Sequence, residues 1–286
     1  MRNAFASAFS SAILALSSLD AAPARAGSIV TYVSGKGADQ GSCTPQSSPC
    51  RSFAYALTQT SAGGEIKALD PDGYGPVTIS QAVSLVGVEG ASINRTSGTH
   101  ITINAGPSDA VAIANLILDG GGAANGGIVF NSGGSLAITN CVVKNFVSLG
   151  GGGGDGIFIG GPTNFLMTDV IVSNNPYGIY VSPNSASATF GALDHVSVVN
   201  NGEGAWLNSR GGGQVYVTAV NSVAENNSDF GFYVNLGTTL RLSQSTVAQN
   251  NTGVECDGTC QSAGNNFIYG NAGLDIGGTL TDVGTK

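Results

Sequence analysis

Asn200-Asn201-Gly202-Glu203-Gly204-Ala205-Trp206-Leu207 decides the fold, because its parts recur along the chain. An Asn-rich signal closes a short apolar segment at Lys144-Asn145, Asn174-Asn175, Asn200-Asn201, Asn226-Asn227, Asn250-Asn251 and Gly270-Asn271, the second members 30, 26, 26, 24 and 20 residues apart. A few residues later comes Gly followed by an apolar residue: Gly156-Ile157, Gly178-Ile179, Gly204-Ala205, Gly231-Phe232, Gly253-Val254 and Gly273-Leu274, with Gly127-Ile128 one coil earlier. The residues that follow alternate in period two, as in Ile157-Phe158-Ile159, Ile179-Tyr180-Val181 and Phe232-Tyr233-Val234, and no amphipathic helical stretch occurs in this region. Repeats of this length made of short strands, with Asn at one corner, predict an all-β parallel solenoid whose coils stack about 4.8 Å apart. Asn suits the corner because it tolerates left-handed backbone and its amide bonds to the Asn above and below.

Composition agrees. The 286 residues include 44 Gly and 9 Pro, too many breakers for a helical bundle. Hydrophobic residues at 42% and charged residues at only 10% exclude a disordered chain. Ten Lys and Arg against 18 Asp and Glu, with no basic cluster, argue against a nucleic-acid partner.

Met1-Arg2-Asn3 is a basic start, Ala4 to Leu19 is apolar and small, and Ala24-Arg25-Ala26 has the form of a signal peptidase site. Residues 1–26 therefore read as an export signal to the periplasm or the exterior. The apolar run is too short and too rich in Ser for a membrane span, and no later segment suits one. Without residues 1–26 the chain keeps eight basic and 17 acidic residues, a net charge of −9. Export permits disulfides, and Cys43 and Cys50 bracket a Pro-containing loop of suitable length. Cys256 and Cys260 flank the turn-forming Asp257-Gly258-Thr259, and Cys141 is left as a small core residue.

With its Asn ladder, its Gly-apolar-x-apolar strands and the entry segment Thr31-Tyr32-Val33-Ser34-Gly35 through Arg51-Ser52-Phe53-Ala54-Tyr55-Ala56-Leu57, the chain resembles the right-handed parallel β-helix proteins of the pectin-lyase-like superfamily over about residues 28–286. That resemblance implies about seven to eight coils, with residues 27–79 forming an entry strand and a short capping helix and residues 80–286 the repeats. Phe53, Ala54 and Leu57 supply the helix with a face to bury. The superfamily hosts lyases, hydrolases, esterases, adhesins and fibres, so the resemblance speaks to fold rather than activity.

If the residues flanking x in Gly-apolar-x-apolar point inward, the inward columns read Ile128, Ile157, Ile179, Ala205, Phe232, Val254, Leu274 and Phe130, Ile159, Val181, Leu207, Val234, Cys256, Ile276, all apolar. The outward column between them reads Val129, Phe158, Tyr180, Trp206, Tyr233, Glu255, Asp275, which exposes an aromatic ring on four consecutive coils. The next outward column places Asn131, Gly160, Ser182, Asn208, Asn235 and Asp257 beside the rings. An aromatic strip with a polar border suits a sugar chain, whose axial C–H groups pack on ring faces while hydroxyls find partners. Phe158, Tyr180, Trp206, Tyr233, Asn208 and Asn235 are accordingly the candidate binding residues. Stacked aromatics also stabilise a sheet without any ligand, which is the competing explanation.

Candidates for chemistry are sparse. Asp194-His195 looks like a fragment of the Asp-His motif of pectate lyases, without the aromatic residues expected before it. Arg210, in the loop past Trp206 and Asn208, is the candidate base or uronate clamp of a lyase. Glu255, Asp257 and Asp275 fall near the last coils as candidate Ca²⁺ ligands. Asp169, Asp194 and Asp229 occur singly, and there is no Gly-His-Gly segment of the polygalacturonase kind. Three readings follow: an exported β-helix that binds a polysaccharide or surface glycan, a polysaccharide lyase or related carbohydrate-active enzyme, and an adhesive scaffold without catalysis.

Overall fold

A computed structural model of the chain describes residues 28–148 and 153–284, so the export signal expected over residues 1–26 lies outside the described residues. Each central coil carries three strands, exemplified by Tyr177–Val181, Thr189–Asp194 and Ser197–Val199, here termed the first, second and third faces. Every strand pairs in parallel with its counterpart one coil on. The third faces form an eight-stranded sheet, while the long strands Thr252–Ser262 and Leu274–Asp282 join first and second faces into a sheet of 18 strands. The result is the all-β parallel solenoid that the repeat predicts, with about eight coils.

Apolar columns fill the interior. Ile128, Phe130, Ile157, Ile159, Ile179, Val181, Ala205, Leu207, Phe232, Val234 and Val254 are all at most 2% exposed. The last coil departs from the expected register, because Val254 pairs with Ile276 rather than Leu274. Leu274 pairs with Thr252 and is 55% exposed.

Two corners repeat through all the central coils. Between second and third faces stand Asn115, Asn140, Asp169, His195, Asn221 and Gln244, all with φ between 49° and 59°. Between third and first faces stand Asn145, Asn174, Asn200, Asn226 and Gln249, also left-handed. Short side chains that bond locally are the non-glycine residues best suited to such backbone.

Just after the second corner a buried ladder of Asn175, Asn201, Asn227, Asn250 and Asn271 runs along the axis. Each amide nitrogen donates to the carboxamide oxygen one coil on, and each oxygen also accepts a backbone N–H, as in Asn201 N–H to Asn227 Oδ1 at 3.0 Å. The ladder explains the glycine that follows it. A Cβ on Gly204 would lie 2.4 Å from the Gly231 carbonyl oxygen and 2.9 Å from Asn227 Nδ2, and Gly178 and Gly231 are hemmed in the same way. Glycine is required there by close approach and not by its backbone angle.

One helix, Phe53–Gln59, covers the first coil, with the Ser52 side chain accepting from the Tyr55 N–H at its start. Its buried face is Phe53, Ala56 and Leu57, whereas Ala54, expected there, is exposed. Residues i, i+3 and i+4 share a helix face, and i+1 points away. Cys43 is bonded to Cys50 and Cys256 to Cys260, while Cys141 is free and buried, its thiol pushed up to about 11 by that burial. Among the described residues no helix is long and apolar enough to cross a membrane.

Candidate functional site

The first faces of four neighbouring coils, Asp155–Ile159, Tyr177–Val181, Glu203–Leu207 and Phe230–Val234, put their rings in one outward row. Phe158 pairs with Tyr180, Tyr180 with Trp206 and Trp206 with Tyr233 in the parallel register. Ring centroids along the row are 5.4, 4.6 and 5.7 Å apart, and Trp206 is nearly parallel to both neighbours, at 22° and 11°. Two rings absent from the sequence reading widen the row into a plate: Tyr177, 5.9 Å from both Tyr180 and Trp206, and Phe230, 4.7 Å from Tyr233. The polar border fixes ring orientation. Trp206 Nε1 donates to Asn235 Oδ1 at 2.8 Å, and the Tyr233 hydroxyl donates to Asp257 Oδ2 at 3.3 Å. Asn208 follows Trp206 by two residues, its backbone N–H donating to the Val181 carbonyl.

Two carboxyl groups flank Tyr177. Asp155 and Glu203 are its register partners in the coils before and after, and both are partly buried. Burial pushes the Asp155 carboxyl up to about 6. Burial first, then the charge of Asp229, pushes Glu203 up to about 7, and Glu203 Oε2 is out of contact with solvent and has no hydrogen-bond partner. Burial, then Glu203 and Asp155, raises the Tyr177 hydroxyl in turn. Counting in period two misses both acids. Gly204 and Ala205 are both buried, so the alternation breaks at this point and Glu203 emerges on the outer side.

The other candidate residues stand elsewhere. Asp194 and His195 lie at the far end of the second-face strand, at a corner away from the row. His195 holds a left-handed position that Asn fills in neighbouring coils, and its Nδ1 is 2.8 Å from Asp194 Oδ1, which also accepts from Asn221. Both serve the corner. Arg210 is exposed in the loop beyond Asn208 and makes no ion pair among the described residues.

The proposed Ca²⁺ set does not converge. Glu255 faces Gly277, not Asp275, and Asp257 is occupied by Tyr233. Asp275 takes the place held by the ladder glycine in earlier coils, and its Oδ1 accepts from Asn271 N–H at 3.1 Å and Asn271 Nδ2 at 2.9 Å. It ends the Asn ladder by supplying the oxygen that a further Asn would present, and these bonds hold its carboxyl below the usual range. Among the described residues no three His, Cys, Asp or Glu side chains group as a metal site.

Round the turn from the row, on the second face, Phe190 stacks on Tyr216 at 5.2 Å and Arg241 lies 5.9 Å over the Tyr216 ring. A cleft of about 500 Å³ adjoins Phe190, lined by Pro107, Pro162, Thr163 and Asn164. It is open and carries no charged side chain.

Chemically, the first face offers a flat apolar plate for stacking and, in Glu203, a carboxyl that stays partly protonated at neutral pH, with the Arg210 guanidinium in the adjoining loop. Residues 100–272 match the family model described as right handed beta helix region. No curated protein matches the sequence. Among solved structures, the chain is similar to pectate lyase Pel9A, with 12% identity and a TM-score of 0.45 over 90% of this chain and 77% of that one. It is also similar to the A-module of the Azotobacter vinelandii mannuronan C-5 epimerase AlgE4, with 13% identity and a TM-score of 0.42 over 78% of this chain and 89% of the module.

Proposed function

We propose that this chain, which belongs to the right-handed β-helix family, is an exported protein that binds a polysaccharide on its first face. The observation that carries the reading is the in-register stack of Phe158, Tyr180, Trp206 and Tyr233, widened by Tyr177 and Phe230. One ring per coil gives a strip of regular rise, suited to successive units of an extended chain. Pyranose C–H faces pack on such rings, and the bordering amides and carboxyls are within reach of hydroxyl groups. A contiguous aromatic patch of this size on an outer surface is a usual mark of a binding site. Two disulfides are compatible with an extracellular setting.

The test uses the single tryptophan, which sits inside the stack. Polysaccharides titrated into the protein, with and without Ca²⁺, should quench or blue-shift Trp206 emission saturably without ultraviolet absorbance from unsaturated uronate products. Growing absorbance that Arg210→Ala abolishes would establish a lyase instead. No response to any glycan, together with stable assembly through the first face, would leave the adhesive scaffold.

A second reading is hydrolysis of a glycosidic bond, favoured by Glu203, a carboxyl pushed up to about 7 beside the Tyr177 ring of the plate. Release of reducing ends that Glu203→Gln abolishes, with binding retained, would establish it.

A further inference from the structure

We infer that the polysaccharide taken by the aromatic row is neutral, a chain of uncharged pyranose units, and that polyuronates are turned away by the acidic side chains around the plate. The inference rests on the binding reading and adds the ligand's charge. Every charged group around the row but one is acidic. Asp155 and Glu203 flank Tyr177, Asp229 acts on Glu203, Glu255 continues the row beyond Tyr233, and Asp257 holds the Tyr233 hydroxyl.

The basic residues are committed elsewhere. Lys144 pairs with Asp119 at 3.5 Å on the third face, and Arg241 lies over Tyr216 on the second, bonded to Gln261 at 3.0 Å. Among the described residues Arg210 alone is a free cation near the row, against Asp229, Glu255 and Asp257, with Asp155 adding its charge above about pH 6 and Glu203 above about 7. A polyuronate carries a carboxylate on every unit, so a chain lying along four coils would set several against these acids. Like charges a few ångströms apart in partly dry surroundings cost about tenfold or more in affinity. Neutral units meet no such opposition. Their C–H faces cover the rings, and their hydroxyls offer hydrogen bonds to the border amides of Asn208 and Asn235.

The experiment compares barley β-glucan and glucomannan with polygalacturonate and alginate at low salt and neutral pH. Trp206 emission and retardation in affinity gels are read on the full chain. The neutral chains should bind about tenfold more tightly than either polyuronate. Polyuronate binding equal to or tighter than neutral binding overturns the inference while leaving the plate a glycan site. Binding of neither class removes the binding reading and the inference with it.

Discussion

Glu203 and His100 set opposite pH limits on the same fold. The Glu203 carboxyl is raised to about 7 by burial and Asp229, so the folded chain holds a proton there that the unfolded chain gives up near 4.5. Its contribution to stability is therefore present below about 4.5 and lost as the pH climbs through about 7. Glu203→Gln removes the ionisation. The variant should melt higher than the parent at pH 8 and close to it at pH 4, by thermal scans across that range. His100 behaves in the reverse sense. It is fully buried against Phe146, with Nε2 against the Arg95 backbone and Nδ1 unbonded, and burial lowers it below its ordinary 6.5. Its neutral form supports the fold above 6.5, and that support is lost as acid protonates the ring. The wild-type melting temperature should fall as the solution is acidified below 6.5, and His100→Gln should flatten that acid limb. The ring row was legible in the sequence because it obeys period two. The acids beside it were not, because Gly204 and Ala205 both face inward and shift the phase by one.

At the scale of the element, the Asn ladder and its glycine are one device. Asn201 gives its amide to Asn227 Oδ1 and the carbonyls of Val172 and Val199, and takes both donors of Asn175. Asn201→Ala leaves several of these buried groups without partners, at about 1–3 kcal/mol for each that water cannot reach. Chemical denaturation should register a loss on the order of 3 kcal/mol. Gly204→Ala should cost about 1–3 kcal/mol through crowding of the Gly231 carbonyl, despite the better intrinsic propensity of alanine. Asp275→Ala tests the end of the ladder. It strands the Asn271 donors, and faster amide hydrogen exchange should appear in Thr252–Ser262 and Leu274–Asp282 while earlier coils are unchanged. The sequence displayed the ladder's period plainly. It hid the last step, since Gly273-Leu274 imitates the repeat while Asp275 occupies the glycine's place.

For the whole molecule, the cap and the coils form a linear array in which each unit leans on its neighbours. The Cys43–Cys50 bond ties the entry loop to the strand Ser28–Val33 through the Tyr32 N–H to Cys43 carbonyl and Cys50 N–H to Tyr32 carbonyl bonds. Replacing both cysteines by serine should lower stability by about 2.5 kcal/mol, the chain-entropy value for so short a loop, read as a lower melting temperature under non-reducing conditions. The solenoid itself was readable because apolar periodicity is a property of the chain, while the capping helix followed from the resemblance carried by the entry segment. The ion-pair and border contacts, such as Trp206 to Asn235, were not, because they join residues whose proximity only the coil register creates.

That register also has a mechanical consequence. The hydrogen bonds between coils lie along the solenoid axis, so a pull on the two ends would open each coil's bonds together, as a zipper is peeled, and not in shear. Ile128, Ile157 and Ile179 mark successive coils, so each rupture would release 22 to 29 residues, roughly 75–100 Å of contour. Drawn from its ends, the molecule would pay out chain in a regular sawtooth of small forces, one tooth per coil.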